Sequence, residues 1–216
     1  MHKEAKKDKT ILRISLDAKA TVLIGLFSRR GKTRVIVKAA DHDFKPNEKL
    51  TPFGIFLPQY GELYLYFTTS RVTSDFIADC LQDFWMSVHD RFHHVQTLLL
   101  NLDNGPENNS RRTQFMKRLT DFADEFQMTI QLAYYPPYHS KYNPIERAWG
   151  VLENHWNGSL LDTVETVLNF ARTMTWNGQH PVVHLVEKTY PTGVKLTRRA
   201  MAELEKRIER LPNLER

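Results

Sequence analysis

The sequence has a single cysteine, Cys80, in 216 residues. No internal disulfide can form, and a zinc site would have to be built chiefly from histidine and carboxylates. No run approaches the ~18 apolar residues of a membrane span. The first nine residues are charged rather than apolar, which excludes an ordinary secretory signal. There is no internal repeat and no low-complexity segment. Together these absences point to a soluble chain in a reducing cytoplasm, with no membrane partner.

What is present is ordinary globular composition, 41% hydrophobic and 25% charged, and length enough for one sizeable core. Lys and Arg number 30 against 25 acidic residues, a formal charge of +5 and a pI near 9.3. A modest basic excess of this kind favours a polyanionic partner such as nucleic acid without demanding one.

Leu12, Ile14 and Leu16 alternate with Arg13, Ser15 and Asp17, the period of a half-buried strand ending on a carboxylate. Residues 21–27 and 34–39 read as further strands around a basic turn at 28–32. Residues 46–61, with three prolines and two glycines, read as a loop, and strand character resumes at 63–69. Ile77, Leu81, Phe84, Val88 and Phe92 then fall on one helical face, with Ser74 as its cap. The Leu-rich run 97–102 reads as a central strand covered on both faces and ends at the turn signal Asp103-Asn104-Gly105-Pro106. A helix follows through Phe115, Leu119, Phe122 and Phe126, then a short strand at 129–133 and a Pro-rich loop at 134–142. Asn143-Pro144-Ile145-Glu146 reads as a helix start with Asn143 as N-cap and Pro144 at the first position; Ile145, Trp149, Leu152 and Trp156 form its buried stripe. Further helices are expected at 161–174 and 197–211, the last with Leu204, Ile208 and Leu211 on one side.

The strand-rich stretches before the first helix read as three antiparallel strands, giving the order β-β-β-α-β-α-β-α plus C-terminal helices. That is the layout of an α/β, ribonuclease-H-like fold with a mixed five-stranded sheet flanked by helices. The expected division is a polar leader at 1–10, a catalytic domain at 11–158 and a helical extension at 159–216 packed on it. In this layout Asp17, Asp103 and Glu146 occupy three matched element ends and converge at one sheet edge. Three carboxylates suit Mg²⁺, which takes hard oxygen ligands and keeps several waters. Two such ions ~3.5–4 Å apart serve phosphodiester transfer by in-line displacement. Each acid alone also has a structural reading: Asp103 as a turn organiser, Glu146 as half of a capping box, Asp17 as an edge-strand carboxylate.

Three strings carry a family resemblance: Arg13-Ile14-Ser15-Leu16-Asp17-Ala18-Lys19-Ala20, Asn101-Leu102-Asp103-Asn104-Gly105-Pro106-Glu107-Asn108, and the run 135–150 with Pro136-Pro137-Tyr138, Asn143-Pro144-Ile145-Glu146 and Trp149. They resemble the DDE transposases of bacterial insertion sequences, specifically the ISAzo-type or Rhodopirellula-type family, from about Leu12 to the C-terminus. The resemblance implies Asp17, Asp103 and Glu146 as the catalytic, metal-holding triad, Mg²⁺ (or Mn²⁺ in its place) as cofactor in two copies, no small-molecule cofactor, transposon-end and target DNA as partners, and a nucleoid-associated bacterial location. Full-length relatives carry N-terminal helix-turn-helix regions, and too little precedes Thr10 to form one. A catalytic domain without its end-recognition region is therefore expected.

Lys19, Asn104, Arg111, Arg112, Tyr138, His139, Lys141, Asn143 and Arg147 are candidate DNA contacts, with Lys117 and Arg118 as an extension of the same track. Tyr134, Tyr135 and Tyr142 add stacking surfaces to the loop before Glu146. Asp43, beside Asp41 and His42, is a reserve for Asp17. His89 and His93 have zinc spacing but no third ligand, and read as surface residues. The C-terminal amphipathic segment fits either packing on the domain or a homodimer contact. Two alternatives stay open: a ribonuclease-H-type or junction nuclease of the same fold, and an inactive DNA-binding remnant of a transposable element.

Overall fold

The structure is a computed structural model that describes residues 8–26, 48–136 and 142–210. The strand expected at 34–39 and the residues Asp41, His42, Asp43, Tyr138, His139, Lys141 and Leu211 lie outside the described residues.

Among the described residues the elements run β1 (Ile11–Ala18), β2 (Val22–Ile24), β3 (Glu48–Leu57), β4 (Glu62–Thr68), α1 (Ser74–Val88), β5 (Thr97–Leu102), α2 (Thr113–Glu125), β6 (Thr129–Tyr134), α3 (Glu146–Trp156), α4 (Val164–Thr173), β7 (Val182–Val186) and α5 (Arg198–Glu205). The sheet order is β6-β5-β1-β3-β4-β7, with β2 pairing β3 off this path. β1 is antiparallel to β3 and parallel to β5, so it lies at the centre.

Alternation along the strands sends side chains to opposite faces, and each face is covered. Leu12, Ile14, Leu16, Leu98 and Leu100 join α1, α2 and Leu204 of α5 in one core cluster. Leu63, Leu65 and Phe67 of β4 pack with Trp149, Leu152 and Trp156 of α3 and Val167 and Leu168 of α4 in the other. The α1 cap is Thr73, whose hydroxyl accepts from Phe76 N at 3.2 Å, one position before the expected Ser74.

Two expectations fail here. Residues 48–57 form a ten-residue strand, not a loop, and its proline and glycine both have local explanations. Pro52 turns its carbonyl toward Lys19 N, 2.9 Å away. Its missing N–H therefore faces past the end of β1 and leaves the β3–β4 ladder intact. Gly54 is required by a helix described below. The sheet is also wider than five strands, because β7 pairs in parallel with β4 from Tyr64↔Val182 to Thr68↔Val186. Residues 159–216 thus contribute a strand as well as α4 and α5. Tyr190, just beyond β7, donates its backbone N–H to Ser70 Oγ (3.1 Å) and its hydroxyl to Asp79 (2.9 Å).

Candidate active site

The β1–β5 register pairs Ser15 with Asn101. Asp17 and Asp103 each lie two residues further on, so adjacent parallel strands deliver both carboxylates at the same end of the sheet. Asp103 directly follows β5, and the chain turns there through Asn104 at φ 62°, a left-handed conformation that asparagine tolerates. Asp103 Oδ1 accepts from Gly105 N at 3.1 Å and Asn108 Nδ2 at 2.8 Å. The turn-organising reading of Asp103 is therefore correct as far as it goes, and it engages one oxygen only.

Glu146 reaches the same corner through side chains placed before α3. Asn143 is 1% exposed. Its Oδ1 accepts from Ser15 Oγ, and its Nδ2 donates to Leu16 O at 3.1 Å. Ser15 Oγ in turn accepts from Ile145 N at 3.3 Å. These bonds pin the start of α3 to β1 immediately before Asp17. Ile145, not Asn143, occupies the N-cap position, and Glu146 is the first helical residue. Asn143 is thus not the helix cap: its side chain is buried and makes two internal hydrogen bonds, to Ser15 and to Leu16. The capping-box reading of Glu146 falls with it.

α3 then descends over β3. Gly54 sits opposite Asp17 in the β1–β3 register. A Cβ there would lie 2.5 Å from Ile145 Cδ1 and 2.9 Å from the Trp149 ring, so only glycine permits this approach. The approach lets Trp149 Nε1 donate to Asp17 Oδ2 at 2.7 Å. Asp17 is 8% exposed. Burial pushes its carboxyl up to about 7, the nearby Glu146 and Asp103 charges push the same way, and the Trp149 hydrogen bond opposes them.

The donor set is all oxygen, and among the described residues no Lys or Arg forms an ion pair with Asp17, Asp103 or Glu146. That chemistry fits a hard divalent cation. Among the described residues, no three His, Cys, Asp or Glu side chains are gathered closely enough to hold a metal as they stand.

The basic candidates divide sharply. Lys19 Nζ is bound to Glu153 of α3 at 2.6 Å, with 12% of its side chain exposed. Arg112 forks onto Glu107 at 2.9 and 3.2 Å. Lys117 pairs with Asp121, and Arg118 with Asp75 and Asp79. Lys19, Arg112 and Arg118 serve partly buried bridges, a commitment that their spacing in sequence does not reveal, whereas Lys117 stays exposed in its pair with Asp121. Arg111 and Arg147 are exposed, as is Asn104. Tyr134 is held inward by its hydroxyl on Asn108 O at 2.7 Å, whereas Tyr142 is 60% exposed. His89 and His93 are exposed and turn Nδ1 toward the carbonyls of Met86 and Asp90.

Sequence reasoning missed Ser15, Gly54, Asn108 and the polar role of Trp149. The last left a signal: a buried tryptophan needs an acceptor for its indole N–H, and Trp149 follows Glu146 by one helical turn.

The fold is similar to that of the Mos1 transposase in its paired-end complex with the left transposon end, with TM-score 0.54, 12% identity, 78% of this chain and 49% of that chain covered. The Mos1 mariner paired-end complex with Mn gives the same values. The Mos1 strand transfer complex gives TM-score 0.52 at 11% identity, with 78% and 48% covered. This likeness identifies the fold as ribonuclease-H-like, and the chain spans about half the length of the Mos1 protein. No curated protein matches the chain. No helix among the described residues is long and apolar enough to cross a membrane. Residues 1–216 match the family described as the Rhodopirellula transposase DDE domain, and the chain belongs to that family.

Proposed function

We propose that this chain is a transposase catalytic domain that cuts and joins DNA by divalent-metal-dependent phosphoryl transfer, with Asp17, Asp103 and Glu146 as metal ligands. The observation that carries this reading is the placement of the three acids at neighbouring element ends. Two stand at matched ends of the parallel pair β1–β5, and the third is pinned beside Asp17 closely enough for their charges to interact. Family membership and the Mos1 complexes with transposon end and with Mn support it.

Mg²⁺ is the natural ion and Mn²⁺ its substitute. Two such ions, when bound, activate the attacking oxygen and stabilise the leaving one. The chain's own part is to hold three carboxylates at fixed element ends and to present DNA to them. Exposed Arg111, Arg147 and Asn104 are suited to phosphate contacts around the corner, and Tyr142 offers a ring for stacking. Residues 11–158 carry this machinery. Residues 159–216 brace it through β7 and Tyr190.

The test is Asp103→Asn in the full-length transposase, assayed on DNA carrying its own element ends with Mn²⁺. Cleavage and strand transfer should both be lost while the folded circular-dichroism spectrum persists; retained strand transfer would overturn the assignment.

A further inference from the structure

The two sheet-borne acids share a feature that the proposed metal site does not itself demand. Each has one oxygen held by a neutral side-chain N–H donor, and on Asp103 the Gly105 N–H joins it on the same oxygen at 3.1 Å. Trp149 Nε1 donates to Asp17 Oδ2 at 2.7 Å, and Asn108 Nδ2 donates to Asp103 Oδ1 at 2.8 Å. Both donors are buried, Trp149 at 4% and Asn108 at 7% exposure. Neither can carry a positive charge, so each orients a carboxylate without cancelling the negative potential that draws a cation.

Both contacts are built at some cost. Gly54 must lack a Cβ for the Trp149 ring to reach Asp17. Asn108 Oδ1 is buried without a donor among the described residues, a penalty accepted while the other end of the same amide serves Asp103. The backbone carbonyl of Asn108 is gripped by Tyr134 Oη at 2.7 Å, and the preceding carbonyl, Glu107 O, by Ser74 Oγ at 2.7 Å. The donor is thus clamped from α1 and β6.

We propose that Trp149 and Asn108 are positioning residues, each fixing one oxygen of Asp17 or Asp103 so that the other oxygen faces the ion. This rests on the metal-site reading above. Outer partners of this kind set ligand orientation and typically govern 10–100-fold in metal affinity.

The test is Mn²⁺ binding by the full chain, followed by calorimetry and by the paramagnetic broadening of the indole N–H signals. Wild type should bind Mn²⁺, and the Trp149 signal, identified by its loss in Trp149→Phe, should broaden first. Trp149→Phe should weaken binding about 10-fold or more, and should have no further effect in an Asp17→Asn background. Asn108→Leu, similar in size but without the donor, should weaken it comparably and lose its effect in Asp103→Asn; it keeps the question open to test should Trp149→Phe not fold. Saturating Mn²⁺ should restore turnover in either variant. No triad-dependent Mn²⁺ binding by wild type would sink the site reading and this proposal with it. Wild-type binding that either folded variant retains unchanged, or a variant effect that persists without its aspartate, would overturn the positioning roles alone.

Discussion

The sheet side and the helix side of the acidic corner are built differently. Asp17 and Asp103 leave adjacent strands in a common register, and each has one oxygen held by a donor. Glu146 has no hydrogen bond to its carboxylate among the described residues. It is placed only through its backbone, by the Ser15–Asn143–Ile145 bonds that tie α3 to β1. On the proposed reading, the strands supply two carboxylates held by donors, and the helix supplies one that no hydrogen bond fixes among the described residues. In-line chemistry needs fixed geometry at the reacting phosphate, and a corner with two fixed acids and one adjustable acid can meet that need while still admitting ions.

The largest effect should separate the two sides. Asp103→Asn should lower metal-dependent strand cleavage by on the order of 10³-fold or more, because it removes a fixed charge where charge stabilisation dominates the barrier. Glu146→Gln should cost less, roughly 10²-fold, because an adjustable neutral oxygen can still ligate. Rates measured over a range of Mn²⁺ concentrations decide it, and an equal or larger loss in Glu146→Gln would break the distinction.

The backbone staple comes next. Asn143→Ala strips Ser15 Oγ and Leu16 O of a buried partner, which should cost about 2–3 kcal/mol of stability and blur the placement of Glu146. Denaturant unfolding should show the loss, and Mn²⁺ affinity should fall in parallel. Asn143→Asp keeps one acceptor but adds a buried charge, and should be no better. Gly54→Ala attacks the same joint from β3. A methyl group 2.5 Å from Ile145 Cδ1 must push α3 outward, costing about 1–3 kcal/mol as overpacking and loosening the Trp149–Asp17 bond. Unchanged stability in Gly54→Ala would mean that the helix does not need its close seat.

How much of this was legible in the sequence follows from the range of the forces involved. β1 announces itself through Leu12, Ile14 and Leu16, and α1 through its apolar stripe, because periodicity is a local signature of which side meets the core. Asp17, Asp103 and Glu146 stand out as candidates in the sequence because each lies at or beside an element end and in a family string. β3 was hidden: Pro52 and Gly54 read as breakers, and what licenses them is a strand end at Lys19 and a helix contact with Trp149, both distant in sequence. β7 was hidden for a related reason, since a short edge strand with exposed Val182 and Leu185 becomes a strand only by pairing with β4. Asn143 was misread because the same residue before a helix can cap it or reach elsewhere. The choice was made by Ser15, 128 positions away.

The smallest effect concerns the buried member of the rigid pair in the absence of metal. Burial raises the Asp17 carboxyl in the folded state from its ordinary 3.8 to about 7. The folded protein therefore holds a proton that the unfolded chain releases near pH 4, and stability is greatest while both states are protonated. It declines as pH rises from about 4 toward 7, and above about 7 the full cost of a buried carboxylate is present. Asp17→Asn removes that ionisation and still offers an oxygen to the Trp149 indole. In metal-free protein the variant should be more stable than wild type at pH 8, by on the order of 1–3 kcal/mol, with little difference at pH 4. Adding Mg²⁺ or Mn²⁺ at pH 8 should stabilise wild type and leave Asp17→Asn nearly unchanged, narrowing or reversing the gap. Thermal melts at the two pH values, with and without the ion, measure all four corners. A wild type whose stability is flat from pH 5 to 8 would show that Asp17 bears no such cost, and that the sheet side of the corner is no more strained than the helix side.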